Sequence, residues 1–453
     1  VHYMDAPGGT WSRRSVLGGV ASALALGSGC LDLELSPDRQ SSDWPQRGYD
    51  AGHTNYKTTG SPPIEDVTVD WKAEKIAPYQ IPDHSWVTKI AVGNGTVFTA
   101  DGKAISLETG RVIGRSDCLN RNDPRSDLRE GSIWFARTNS YTNGVIVSSR
   151  LYRSLEHVDA SQSSPHGFNP AVLEGAGDGC GNVPRWTAGS PNDKGYSPVG
   201  AIDNGTVFAY RAPRDDRGSE QPSGRTVAID ADDGRVRWRT DDALDVDTFR
   251  ADERSLFVKS DGYLGEPELL TVFERGTGHR QQQIELHEGG YLTAVRNGTA
   301  YLLSLRGLRA VNGRTGEIDW RADLAAISDL DIGSEVAVSV AVGPEAVFIL
   351  VGTHSESVCI SLDAEDGAVL WSQAVPRRSA WIAATDQSVY VSGNRVTCLD
   401  SANGDVRWDW TVPSDARAWG PLVVANRRLL VPAAADPYAE STQTNALYTL
   451  IEQ

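Results

Sequence analysis

One line recurs along the chain: TVAIDADDGRVRW, LRAVNGRTGEIDW, CISLDAEDGAVLW and VTCLDSANGDVRW. Each copy has a small residue, an acidic or amide residue two on, a Gly four later and a Trp four after that. The sets are Ala228/Asp230/Gly234/Trp238, Ala310/Asn312/Gly316/Trp320, Ser361/Asp363/Gly367/Trp371 and Cys398/Asp400/Gly404/Trp408. Their spacing of about 40 to 50 residues is the period of a propeller blade. The alternating apolar positions of VAID and VRWR fit half-buried strands. The Gly suits a turn with positive φ, the Asp or Asn suits bonds to the turn amides, and the Trp offers a slab for the neighbouring blade.

A second signature, a polar turn followed by a strand, lies upstream of each copy. Eight occur: VGNGTVFTA, TNGVIVSS, IDNGTVFAY, ADERSLFVK, VRNGTAYLL, VGPEAVFIL, TDQSVYVSG and ANRRLLVPA. They read as hairpins, several with an Asn-Gly turn. Degenerate copies extend the register: Ala104/Ser106/Gly110 with Gly114 in the Trp position, Val272/Glu274/Gly278 with Gln282, and Ala176/Asp178 leading to Asn182 and Trp186. The final hairpin, LLVPA and NALYTLIEQ, has no outer strand, whereas VTVDWKAE around Trp71 is an outer strand without a blade. Joining them predicts an all-β, eight-bladed propeller of four-stranded blades, closed by pairing of N- and C-terminal strands.

Ahead of this ring, residues 1–29 read as a twin-arginine export signal. Ser12-Arg13-Arg14-Ser15-Val16-Leu17 precedes an apolar stretch too short to span a bilayer. The signal ends Leu26-Gly27-Ser28-Gly29-Cys30, which resembles a lipoprotein cleavage box with Cys30 as the lipidation site; simple cleavage and release is the alternative. Residues 30–43 then form a flexible tether, and 44–453 the propeller. The expected location is the extracytoplasmic face of the cell membrane, held by the lipid anchor.

The formal net charge is −17, and only seven of the 43 basic residues are Lys. An acidic, Arg-rich surface resembles proteins of salt-loving archaea and argues against nucleic acid as a partner. Apart from Cys30, the cysteines are Cys118, Cys180, Cys359 and Cys398. Export permits disulfides, and Cys118 with Cys180 forms the candidate bridge. Cys359 and Cys398 read as small buried residues.

The repeat, with the opening WPQRGYDAGHTNY (Trp44 to Tyr56), resembles the PQQ-like β-propeller superfamily, which includes quinoprotein alcohol dehydrogenases and BamB-type assembly lipoproteins. The dehydrogenase branch implies PQQ with Ca²⁺, an adjacent Cys-Cys pair, Glu and Asn calcium ligands and a catalytic Asp. This chain has no adjacent cysteines and no CxxCH haem site. Asp230, Asp363 and Asp400 are explained by the repeat, and the scattered histidines lack metal-ligand spacing. No catalytic or metal-binding residue is therefore assigned. The stretch EGAGDGCGN lacks the Lys-Ser/Thr of a phosphate loop. The preferred reading is a non-catalytic, monomeric scaffold for cell-envelope proteins; the alternative is a PQQ-dependent dehydrogenase or a degenerate cofactor or carbohydrate binder.

Two features lie off the repeat. Aromatics stand near the start of the innermost strand in most blades: Trp86, Trp134, Tyr196, Phe249, Tyr291, Trp381 and Trp419. The four Trp belong to blades contiguous round the ring, so Trp381–Trp419–Trp86–Trp134 is a candidate binding mouth. The competing reading is that these rings fill the taper between blades. The second is an irregular insertion at about 116–195, a candidate binding rim or a disordered segment.

Overall fold

The computed structural model describes residues 44, 49–58, 62–74, 79–80, 86–87, 90–99, 103–115, 134–142, 145–153, 166–168, 186–187, 199–203, 205–211 and 225–453 apart from 243, 245, 261, 263–266, 305–306, 329, 331–336, 354, 414–415, 419 and 436–445. Side chains at 79–87, 114–115, 134–187, 199–200, 203, 210–211, 337 and 434–435 lie outside that description. Cys30, Cys118, Cys180, Asp178 and Trp419, with the signal and tether at 1–43, also fall outside it.

The repeat folds into antiparallel four-stranded blades whose strands follow one another in sequence order. Blades one to six span 90–115, 199–239, 246–285, 291–322, 337–375 and 381–410. In the seventh, Val67–Glu74 pairs antiparallel with the C-terminal strand Ala446–Glu452. Next comes Arg428–Ala435, and its other edge is shared by two short strands, Ala416–Ala418 and Val423–Ala425. Both chain ends thus meet in one blade, which removes a free edge from each.

The expectation of eight blades is corrected to seven four-stranded blades. In the sequence register Ala176/Asp178/Asn182/Trp186 stands as the turn of one more. The segment between blades one and two instead forms a ladder of Trp134–Thr142, Val145–Arg153, His166–Phe168 and Trp186–Thr187, beside the first strands of both neighbours. Its third strand stops at Phe168, well short of Asp178, and its fourth is two residues long. In the repeat-built blades the third strand runs up to the acidic or amide residue and a tight turn follows, as with Arg225–Asp230 and Val236–Arg239. Spacing places Asp178 at the end of a third strand, whereas the described third strand here is His166–Phe168 and Asp178 lies outside the described residues.

The repeat's chemistry is visible at each described turn. The Oδ1 atoms of Asp230, Asn312, Asp363 and Asp400 accept the amides two residues on, at 2.8, 3.1, 2.7 and 2.8 Å. The motif Gly closes the turn by donating to the carbonyl of that acidic or amide residue, as Gly404 does to Asp400 at 2.9 Å. Gly234, Gly316, Gly367 and Gly404 have φ between 74 and 80°. A Cβ there would also have no space: on Gly404 it would lie 2.7 Å from the Trp371 ring, and on Gly367 2.7 Å from Trp320. Each of Trp238, Trp320 and Trp371 therefore lies flat on the next blade's glycine. Its Nε1–H donates to the carbonyl just past that blade's acidic residue: Trp238 to Arg275, Trp320 to Ala364 and Trp371 to Ser401, at 2.9, 3.0 and 2.9 Å. Trp71 does the same to Leu107 of blade one at 2.9 Å, so the closing strand carries a working copy of the motif. Where Gln282 replaces the Trp, Ile284 covers Gly316 instead. Trp408 meets no turn in the split blade and donates to Pro63 at 3.3 Å.

A candidate binding mouth at the end of the axis

The innermost strands of the blades run the same way along the axis, so their starts mark one end and their hairpin turns the other. At the turn end, the segment preceding the first blade forms a strap. Trp44 makes a two-way bridge with Val92 of blade one, at 2.9 and 2.7 Å. Ala51, Gly52, Thr54 and Asn55 then offer their carbonyls to the amides of Ala251, Val295, Val342 and Ala384, on blades three, four, five and six, at 2.8, 2.9, 2.7 and 2.9 Å. Tyr56–Lys57 adds as a parallel strand to Trp381–Thr385. Lys57 Nζ reaches the Val424 carbonyl of the seventh blade at 3.1 Å. The strap thus passes from blade one to the third and on round to the seventh.

Local sequence explains that path. Asp50 accepts Thr54 N–H at 2.9 Å and Thr54 Oγ1–H at 2.7 Å, tying a tight turn. Tyr49, His53 and Asn55 have φ of 75, 55 and 52°, a conformation costly for residues with a Cβ and sustained by the surrounding contacts. Gly52 fits because a Cβ would lie 2.1 Å from the Val295 carbonyl oxygen. Trp44 and Tyr49 pack ring to ring at 5.0 Å, and buried Lys57 places its ammonium 5.8 Å from the Tyr49 ring. Tyr56 lies parallel to Phe348 and donates to Asp386 at 2.8 Å; burial first, then that carboxylate, pushes its phenol pKa well up. At this end the strap's main chain lies along the inner strand edges. Its large side chains are buried, Trp44 and Tyr49 in the core shared by blades one and seven and Tyr56 in the core shared by blades five and six. In sequence, WPQRGYDAGHTNY stands out only as a family signature. The turn-forming Asp-x-x-x-Thr and the small Gly52 were the available signals of its seat.

The opposite end, where the innermost strands begin, is built differently. Tyr291, the first residue of Tyr291–Arg296, is 73% exposed. It stands roughly 13 Å from the strap-bound Val295 at strand rise. Trp381 opens Trp381–Thr385 and is half-buried. Phe249 sits inside Val246–Ala251 and is buried against Ala201, Phe208 and Leu256, which is the taper-filling alternative. Trp86 lies in a two-strand pair with Gln80, ahead of the innermost strand Ile90–Gly93. Trp134 begins the first strand of the irregular ladder. The side chains of Trp86 and Trp134, and Trp419 entirely, lie outside the described residues.

Under Tyr291 lies an ion-paired bracket that joins blades three and four. Buried Lys259 reaches Asp247 at 3.5 Å and Glu268 at 3.2 Å. Gly289 turns against Glu268, where a Cβ would sit 2.9 Å from the carboxylate. Glu288 holds buried Arg309 at 3.3 Å and Arg321 at 2.6 Å, while Arg309 also donates to the Gly289 carbonyl. Two buried cations are thereby neutralised, and the turn that presents Tyr291 is pinned from both sides. No sequence pattern points to this bracket, because its residues lie on six separate strands and turns with no common spacing.

The remaining titratable groups have structural duties. Arg407 beside Asp400, at 2.6 Å, holds that carboxyl below the usual range. Partial burial works against the Asp230 carboxylate, but the Arg237 bond at 2.7 Å and the turn amides bring it below the usual range too. Cys359 and Cys398 are free and buried on the third strands of blades five and six; burial pushes both thiols up, Cys398 to about 12. They do not fit the adjacent-cysteine platform of a quinone site. Among the described residues no cluster of His, Cys, Asp and Glu is placed to hold a metal, and no helix is long and apolar enough to cross a membrane.

The family model described as outer membrane protein assembly factor BamB matches residues 183–409 and again 354–446, together more than half of the chain. No curated protein matches by sequence. Among solved structures, quinohemoprotein alcohol dehydrogenase ADHIIG from Pseudomonas putida HK5 superposes with a TM-score of 0.58 at 11% identity, covering 91% of this chain and 80% of its own. BamB from Moraxella catarrhalis gives 0.42 at 14% identity, covering 86% and 98%. At these identities the likeness to solved structures concerns the fold alone.

Proposed function

This chain belongs to the family described as outer membrane protein assembly factor BamB, and from that premise we propose that it is a non-catalytic binding propeller. Its working surface is the mouth at the strand-start end. The observation that carries this reading is the strap, whose main chain already occupies the inner strand edges of blades one and three to six at the other end of the axis and so leaves the mouth as the end for an axial partner. There Tyr291 supplies an exposed ring with a polar tip, the kind of anchor that dominates protein interfaces, and Trp381 stands at the matching position of blade six. The ion-paired bracket fixes the turn that presents Tyr291, which lowers the ordering cost of binding. We place the protein outside the cell membrane, exported by a twin-arginine signal and tethered through Cys30, with envelope proteins as partners.

Affinity capture from native membranes at high salt tests this, using the full chain and a Tyr291→Asp variant. The proposal expects a protein partner retained by the wild type and lost from the variant. Addition of PQQ and Ca²⁺ provides the opposing outcome: a bound-quinone spectrum with oxidation of alcohols or sugars overturns the scaffold reading in favour of a dehydrogenase.

A further inference from the structure

Outer strands are where a propeller meets solvent with an unpaired row of peptide groups, and charged side chains there discourage pairing with another chain. In each repeat-built blade the pairing of third and outer strand slips at one extra outer-strand residue. That residue is Arg237 in blade two, Gln281 in three, Asp319 in four, Arg407 in six and Asp70 in seven. Arg237 and Arg407 fold back onto Asp230 and Asp400 of their own blades, and Asp70 pairs with Arg428 at 2.9 Å. In blade one the place is taken by Ile113 and in blade five by Leu370.

Blade five departs furthest. Its outer strand Val369–Val375, VLWSQAV, carries no charge, whereas each of the other six repeat-built outer strands contains at least one. Leu370 and Val369 stand 53% and 47% exposed, and Ser372 and Ala374 are exposed beyond them. The strand is bounded by opposite charges: exposed Glu365 and Asp366 in the turn before it, and Arg377 and Arg378 after it. That polarity is self-complementary. If two such strands pair antiparallel about Ser372, Leu370 of one copy faces Ala374 of the other. Each acidic turn then meets the other copy's Arg377–Arg378 end.

We propose that the outer strand of blade five is an edge at which two copies of this chain pair antiparallel about a two-fold axis. The two-fold makes the interface isologous and closes it at a dimer. With a formal charge of −17 on each copy, general repulsion opposes association, so the attraction is confined to this uncharged strip and its two flanking charge pairs. The proposal is independent of the mouth and of what binds there.

Sedimentation equilibrium on the full chain over graded concentrations should show the mass rising to twice the monomer value. Leu370→Arg, the residue type that blades two and six carry at this place, should abolish that rise and leave thermal unfolding unchanged. Ser372→Cys should form a covalent dimer under mild oxidation well beyond the wild-type background, and Ala374→Cys should not exceed that background. Arg377→Glu with Arg378→Glu should abolish pairing, and mixing this variant with Glu365→Lys/Asp366→Lys should restore it as a heterodimer. A mass that stays monomeric, a dimer that survives Leu370→Arg, or equal cross-linking at 372 and 374 overturns the proposal.

Discussion

The two ends of the propeller axis are closed and opened by different physics. At the turn end, strap carbonyls accept amides from successive blades, and the side chains that follow are buried rings and one buried Lys. At the mouth, Lys259, Arg309 and Arg321 are held by Asp247, Glu268 and Glu288, and an aromatic ring stands clear in solvent. Main-chain hydrogen bonds carry no net charge and are indifferent to salt, whereas partly exposed ion pairs weaken as ions screen them. The sealed end is therefore the constant part of the molecule, and the mouth is the part that responds to its surroundings.

The largest expected effect is at the mouth. Glu288→Ala removes the carboxylate that pairs with buried Arg309 and leaves it only the more distant charge of Glu268, and losing one partner of a buried pair costs about 3 kcal/mol or more. Denaturant unfolding should show that loss, and high salt should reduce it. Next comes Gly52→Ala at the sealed end, where the new Cβ meets the Val295 carbonyl. Overpacking of this kind costs about 1–3 kcal/mol, and here the loss should be the same in low and high salt. A matching salt response from both variants would break the contrast between the ends.

A smaller effect is expected on the rim, away from both ends. Asp400 has its pKa lowered by Arg407, so its contribution is present above the unfolded carboxylate value near 4 and is lost as pH falls through the folded value. The pair is about a quarter exposed on each side, which limits the effect to roughly 1 kcal/mol or less. Asp400→Asn should flatten that acid limb of the stability–pH curve. Smallest is Tyr291→Ala, expected within about 0.5 kcal/mol because the ring is solvated, while partner capture is lost. A large stability change at Tyr291 would mean that the ring packs rather than binds.

How much of this was legible in the sequence follows from where each interaction is encoded. The blade motif is a local device repeated at constant spacing, so Asp400, Gly404 and Trp408 announced their turn, their positive φ and their outer strand without a structure. The closing strand was legible for the same reason, because Trp71 carries the motif without a blade of its own. The blade count failed at Asp178 and Trp186, where residue types match the spacing but the described third strand is only His166–Phe168. The strap and the bracket are non-local. Gly52 is small because of Val295, and Glu288 matters because of Arg309, and no period in the sequence links either pair. Phe249 shows the complementary limit: proximity to a strand start did not say whether the ring faced solvent or the Phe208 side of blade two.

The most direct test places a photo-crosslinking residue at Tyr291 and, in a separate protein, at Asn297 in the hairpin turn of the same innermost strand, and compares which captures a partner from native membranes. The sealed-end account predicts capture from position 291 and none from 297. Capture from 297 with none from 291 would contradict it.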